Sequence, residues 1–188
     1  MTELGTKAPA FRLRTANPQA DGLEGDYRSI DDYKDARALV VVFTCNHCPY
    51  ARHVERTLIE LAREFQPRGV AFVAICSNDA ESYPEDSFEN MAKRAKEMHY
   101  PFPYLHDESQ EVARAYGAVC TPDLFVYNAD RVLVYRGRVD ETRPGMGESD
   151  GKDLRHALEE LLETGKVSTE QYPSMGCNIK WKESQQVA

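Results

Sequence analysis

The run Ala38-Leu39-Val40-Val41-Val42-Phe43 constrains the fold more than any other stretch, because six consecutive residues are apolar. A strand with one wet face alternates apolar and polar residues. An unbroken Val-rich run of strand length needs cover on both faces, as at the centre of a mainly parallel sheet. Gly69-Val70-Ala71-Phe72-Val73-Ala74-Ile75 repeats the pattern. Leu124–Tyr127 and Val132–Tyr135 are two further apolar stretches, and the turn-like Asn128-Ala129-Asp130-Arg131 between them predicts an antiparallel hairpin. Helical spacing fills the intervals. Val54, Leu58, Leu61, Ala62 and Phe65 share one face of residues 49–65, and Phe88, Met91, Ala92, Ala95 and Met98 share another. Val112, Ala113 and Tyr116 lead to a C-capping Gly117, and Leu154, Ala157, Leu158, Leu161 and Leu162 to Gly165. With a weaker β-like entry at Phe11–Leu13 and Tyr27–Ile30, the order predicts an α/β fold: a central mixed β-sheet flanked by helices, with an N-terminal β extension and a C-terminal tail.

At 188 residues the chain suits one domain, 1–188, with residues 166–188 as a tail packed on it. Its net charge of −8 argues against nucleic-acid binding, which needs a basic surface. No segment is apolar for long enough to span a bilayer, and residues 1–7 lack the apolar core of a secretion signal, so a cytoplasmic protein without membrane association is expected. Five cysteines, 45, 48, 76, 120 and 177, are odd in number and unevenly spaced, which is not a structural disulfide framework. Nothing in the sequence specifies an oligomeric state.

The chemistry concentrates in Cys45-Asn46-His47-Cys48-Pro49. Two cysteines separated by two residues can close a small disulfide or supply half a zinc site. Zinc needs a second ligand pair, and Cys76, Cys120 and Cys177 are isolated, so no metal is expected. The pair instead lies between a buried strand and an amphipathic helix. The partial positive charge and free N–H groups of a helix N-terminus stabilise a thiolate. In such places a cysteine pKa falls from about 8.5 to between about 3.5 and 7.5. Cys45, as the first and ordinarily more exposed thiol, is expected to be the nucleophile and Cys48 to resolve the mixed disulfide. A protonated His47 would favour the thiolate further, although an exposed loop histidine is the alternative. Pro49 fits the first helical turn. Electrons reside on sulfur in such chemistry, so no organic cofactor is implied. A second signal, Cys120-Thr121-Pro122, precedes the Leu124 strand, where an X–Pro bond can be cis and expose backbone groups beside the thiols.

Strand, Cys-x-x-Cys, helix and a later Thr-Pro before a strand together resemble the thioredoxin fold. Gly5-Thr6-Lys7-Ala8-Pro9-Ala10-Phe11-Arg12-Leu13 resembles the opening of its redoxin branch, which includes the alkyl hydroperoxide reductase/thiol-specific antioxidant proteins and the peroxiredoxins. Cys45–Tyr50, Ser77-Asn78-Asp79, Tyr83–Asp86 and Gly176–Lys182 are similar to a bacterial peroxiredoxin-like group labelled as probable thiol-disulfide isomerases. The resemblance implies that Thr121-Pro122 forms a cis-proline loop facing Cys45 and holds a substrate chain by backbone contacts. It implies an oxidoreductase acting on protein or small-molecule disulfides and thiols, served by an unidentified electron donor. Thiol peroxidase activity on hydroperoxides is the alternative, and a redox sensor or interaction module a third reading. For the peroxidase, Cys48 occupies the peroxidatic position, but Cys45 stands where a threonine or serine belongs and the upstream proline is missing. Arg136 or Arg138 would have to supply its guanidinium.

The remaining cysteines have simpler explanations beside the redox ones. Cys76 ends an apolar strand and reads as core. Cys120 either modulates the pair or packs beside the Thr-Pro loop. Cys177 is either a third redox thiol that folds back to the site or pairs with Cys120, or a packed neighbour of the anchors Ile179 and Trp181. The acidic residues Asp79, Glu81, Glu85, Asp86 and Glu89 read as complements to a helix N-terminus.

Overall fold

Alternation within strand β3 (Ala38–Phe43) builds two hydrophobic layers, one on each side of a sheet. Ala38, Val40 and Val42 point into one layer with the helix that follows, whereas Leu39, Val41 and Phe43 point into the other. β4 (Val70–Cys76) pairs with β3 in parallel, and β7 (Asp123–Asn128) pairs with it antiparallel on the opposite side. β7 turns into β8 (Leu133–Gly137), the expected hairpin. The computed structural model describes residues 2–168 and 170–183; the expectations for Thr169 and residues 184–188 lie outside the described residues.

Adding β1 (Arg12–Thr15), β2 (Tyr27–Ser29) and β5 (Tyr104–His106) completes a seven-stranded mixed sheet in the order β2-β1-β5-β4-β3-β7-β8. β5 was not expected. It is three residues long and follows Pro101 and Pro103, so no two-residue periodicity can show. Tertiary pairing with β4 and β1 makes it a strand.

Helix α1 (Pro49–Phe65) buries Ala51, Val54, Leu58, Leu61, Ala62 and Phe65 on the first layer, as its spacing requires. It gives way to a short 3-10 turn that ends at Gly69, whose φ of 91° only glycine adopts readily. α2 (Phe88–Glu97), capped by Ser87 accepting the Asn90 N–H, and α4 (Lys152–Thr164) add Met91, Ala95, Leu154, Ala157, Leu158 and Leu161 to the same layer. α3 (Glu111–Tyr116) closes the other layer with Ala113 and Tyr116. A separate two-stranded ladder joins β6 (Cys120–Thr121) to β9 (Cys177–Asn178) antiparallel. No helix among the described residues is long and apolar enough to cross a membrane.

Candidate functional site

β3 delivers the chain to the C-terminal edge of the sheet, where Thr44 still bonds to Ile75 of β4 through its N–H. Residues 45–48 then form the turn into α1, and Cys48 is the residue that caps the helix, with Pro49 behind it. The turn is pinned through Asn46. Its backbone N–H donates to Asp86 Oδ1 (2.7 Å), its side-chain amide donates to the Glu85 carbonyl (2.9 Å), its side-chain oxygen accepts from the Tyr104 hydroxyl (2.8 Å), and its carbonyl accepts from Arg52 Nε (2.7 Å).

Asp86 is fully buried. Besides Asn46 it accepts Asn78 Nδ2 (2.8 Å), and His47 Nδ1 approaches its Oδ2 to 2.6 Å without aligning for a hydrogen bond. The His47 ring stacks on Tyr83 at 5.7 Å between centroids. The acidic cluster therefore contains one residue with a role beyond the helix dipole. Nothing local separates Asp86 from Glu85, since the 3-10 turn at 84–86 and the β4–α2 connection alone decide which carboxylate points inward. Cys45 Sγ, His47 Nδ1 and an Asp86 oxygen lie within 4.8 Å of one another and are a donor set that could hold a cation. Two N–H donors already occupy the Asp86 carboxylate and compete with that use.

Thr121–Pro122 is a cis peptide bond, and it stands over the two sulfurs. Thr121 Oγ1 is 3.5 Å from Cys45 Sγ, and the Thr121 carbonyl is 3.4 Å from Cys48 Sγ. Both cysteines are free thiols, and each influences the ionisation of the other. Both are nearly sealed, at 3% and 1% exposure, so exposure does not distinguish them. Ionisation does. Cys48 is driven down to about 4, first by the Cys45 thiol and, against the cost of burial, by the Cys177 thiol, the Ala51 N–H and Thr121. Cys45 is driven up because it shares its proton with Cys48, is buried and faces the Asp86 charge. Sequence expectation had Cys45 as the ionised partner. Cys48 is the residue at the cap of α1 and has the Ala51 N–H among the groups that favour its charge, whereas Cys45 faces the Asp86 charge.

Cys177 packs against the same layer as Cys45 and Cys48, close enough to Cys48 for the two thiols to affect each other's ionisation. It stands opposite Thr121 in the β6–β9 ladder and not opposite Cys120. The edge of Thr121 that was expected to receive a substrate chain is thus already paired. Ile179 is buried and Trp181 packs on the second layer, which seats this part of the tail on the core. Cys120 is buried, directs its thiol at the Pro122 carbonyl (3.5 Å) and is pushed up to about 12 by burial and Asp123, which makes it a packed neutral thiol. Cys76 is sealed in the core. Arg138 is not brought to the sulfurs: Asp153 holds its Nε at 2.6 Å and Tyr172 lies under its guanidinium at 4.4 Å. Arg136 is engaged likewise by the Gly117 carbonyl and Asp123.

A cysteine pair at a helix start, a cis proline over it and this sheet define a thioredoxin-superfamily redoxin, an enzyme of the oxidoreductase type. Residues 4–136 match the AhpC/TSA family, and the chain belongs to that family. An uncharacterized conserved protein from Geobacillus kaustophilus is 50% identical, covers 97% of this chain and 94% of its own, and superposes with a TM-score of 0.90. The hypothetical protein SMc02350 from Sinorhizobium meliloti 1021 is 43% identical over 97% of each chain, with a TM-score of 0.91. The thioredoxin domain of a thiol-disulfide oxidoreductase from Bacteroides vulgatus has a TM-score of 0.65 at 19% identity, covering 86% of this chain and 99% of that one, which shows the shared fold. No curated protein matches the chain.

Proposed function

We propose that the protein is a thiol–disulfide oxidoreductase of a reducing, cytoplasmic compartment, in which Cys45 and Cys48 cycle between dithiol and disulfide. The observation that carries this reading is two free thiols at the start of α1, both held against Thr121 of a cis Thr121–Pro122 bond. Cys48, as thiolate, attacks one sulfur of a protein or small-molecule disulfide. The substrate S–S bond breaks, a mixed disulfide forms, and the departing sulfur takes a proton from solvent. Cys45 then attacks Cys48, forms the Cys45–Cys48 disulfide, and its proton leaves with the second substrate thiol. An external thiol donor returns the pair to the dithiol. A substrate chain that pairs with Thr121 does so after β9 leaves that edge.

Hydroperoxide reduction is the second reading. It is favoured by the ionised Cys48 at the peroxidatic position and opposed by the engagement of Arg136 and Arg138 with Asp123 and Asp153. A redox sensor would oxidise once without turnover. The test is turnover of an insulin-type disulfide and of hydrogen peroxide by wild type, Cys45→Ser and Cys48→Ser. Disulfide turnover that is abolished in Cys48→Ser and lowered in Cys45→Ser supports the proposal. Rapid peroxide consumption that survives Cys45→Ser and disappears in Cys48→Ser supports the peroxidase, and stoichiometric oxidation alone supports the sensor.

A further inference from the structure

The tail that carries Cys177 is built onto the site by many separate contacts. Cys177 and Asn178 pair with Thr121 and Cys120, and the Ile179 N–H donates to the Val119 carbonyl (3.2 Å). The Lys180 N–H donates to Asn78 Oδ1 (2.9 Å), and its carbonyl accepts from the Asp79 N–H (2.8 Å) and Gln110 Nε2 (2.9 Å). The Lys182 N–H donates to Gln110 Oε1 (2.9 Å). Gly176 passes so close to the cis-proline loop that a Cβ there would lie 2.1 Å from the Thr121 carbonyl oxygen and 3.0 Å from Pro122 N. Both clashes are with backbone, so the approach depends on glycine. Lys180 thus bonds to Asn78, the donor that also binds Asp86, and Cys177 and Asn178 pair with the strand that contacts both active sulfurs.

This placement sets Cys177 opposite Thr121, whose carbonyl lies 3.4 Å from Cys48 Sγ, and packs it against the layer that holds Cys45 and Cys48. Cys48 therefore has a thiol partner on the core side, Cys45, and another on the tail. Burial, the Cys48 bond and the Cys48 charge push Cys177 up to about 11, so in the reduced state it is a proton-bearing thiol facing a thiolate. Oxidation of Cys48 removes that negative charge, and with it part of what holds the proton on Cys177.

We propose that Cys177 is a third catalytic thiol, which takes over the disulfide from Cys45 at the shared sulfur of Cys48. The proposal rests on the reading that Cys45–Cys48 is redox-active. In the step, the Cys177 sulfur attacks Cys48 of the Cys45–Cys48 disulfide. The Cys45–Cys48 bond breaks, the Cys48–Cys177 bond forms, and the proton lost by Cys177 passes to Cys45. No net oxidation occurs, since two electrons move from one sulfur pair to another. The oxidising equivalents end on the tail, and Cys45 is again a thiol.

The test uses the full chain, reduced and then oxidised with diamide, quenched in acid with an alkylating agent and mapped by peptide mass spectrometry. Wild type should yield both the Cys45–Cys48 and the Cys48–Cys177 disulfides. Cys45→Ser should yield Cys48–Cys177 as its principal product, and Cys177→Ser only Cys45–Cys48. Gly176→Ala, which forces the tail from Thr121, should lower the Cys48–Cys177 yield at least about tenfold relative to Cys45–Cys48. Formation of Cys45–Cys48 in wild type, with Cys48 and Cys177 left unlinked in Cys45→Ser, overturns this proposal alone. Failure of Cys45–Cys48 to form in either wild type or Cys177→Ser overturns the proposed function, and this step with it.

Discussion

Replacing Asp86 by asparagine keeps the shape of the side chain and removes its charge at the point where the cysteine turn is pinned. The carboxylate accepts the Asn46 backbone N–H on one oxygen at 2.7 Å and Asn78 Nδ2 on the other at 2.8 Å. Because the side chain is fully buried, water cannot substitute for either bond. An amide offers one oxygen, so its NH₂ group must face one of the two donors and leave that donor unpaired. A buried polar group without a partner costs about 1–3 kcal/mol. Asp86→Asn should therefore lose about 2 kcal/mol, which for a chain of this size lowers the melting temperature by about 4–8 °C. A second effect has its own sign. The Asp86 charge is one of the causes that hold Cys45 above the ordinary thiol range, so removing it should let Cys45 ionise at lower pH. Chemical denaturation measures the first effect, and the ultraviolet absorbance of thiolates during a pH titration of the reduced protein measures the second. A variant within about 0.5 kcal/mol of wild type, with Cys45 titrating unchanged, would refute the pinning role.

Three further outcomes are expected. Cys48 is held below the ordinary thiol value of about 8.5, so at pH 6, where a free thiol is about 0.3% ionised, it should carry a larger thiolate fraction. Thiolate absorbance in the reduced protein should persist below the ordinary thiol range, Cys48→Ser should abolish that acid-side step, and a single step near 8 to 9 would contradict the assignment. Asp140 opposes burial by accepting the Ser149 and Thr142 hydroxyls and the Gly151 and Thr142 N–H groups, and is held below the usual carboxyl range. Its stabilisation is complete above the unfolded value of about 3.9 and is lost as pH falls through the lower folded value, so Asp140→Asn should cost about 1–3 kcal/mol at neutral pH and converge on wild type in acid. A deficit that persists unchanged to about pH 2 would count against the charge as its source. Arg138→Gln, which breaks the partly exposed pair with Asp153, should cost less than about 1 kcal/mol and leave disulfide turnover within about twofold of wild type; a tenfold loss would return Arg138 to the site.

The legible parts of this molecule are those where a local pattern and the tertiary environment demand the same thing. β3 and β4 are apolar throughout because both faces are covered, and the helical face of α1 is legible because one layer receives it. The Cys-x-x-Cys pair and Thr121-Pro122 were visible because their residue types are unusual at those places. What was hidden depends on long-range placement. β5 and the β6–β9 ladder are too short to carry periodicity and exist only through their partners. Asp86 looked like any carboxylate near a helix start, and its burial follows from how the β4–α2 connection folds over the turn. Sequence order alone could not show what surrounds each sulfur: Cys48 stands at the cap of α1 near Cys177, and Cys45 faces the buried Asp86. Where Cys177 stands relative to the pair was likewise hidden, because only the ladder register sets it opposite Thr121.

The most direct measurement is an equilibrium titration of the reduced protein in dithiothreitol buffers of graded redox poise, with the linked cysteines identified at each point. A reversible two-electron transition should appear that converts Cys45 and Cys48 from free thiols to a disulfide-bonded state and is lost in Cys48→Ser. Sulfurs that remain free across the whole range, or that resist oxidation because a bound metal ion clamps them, would contradict the dithiol account.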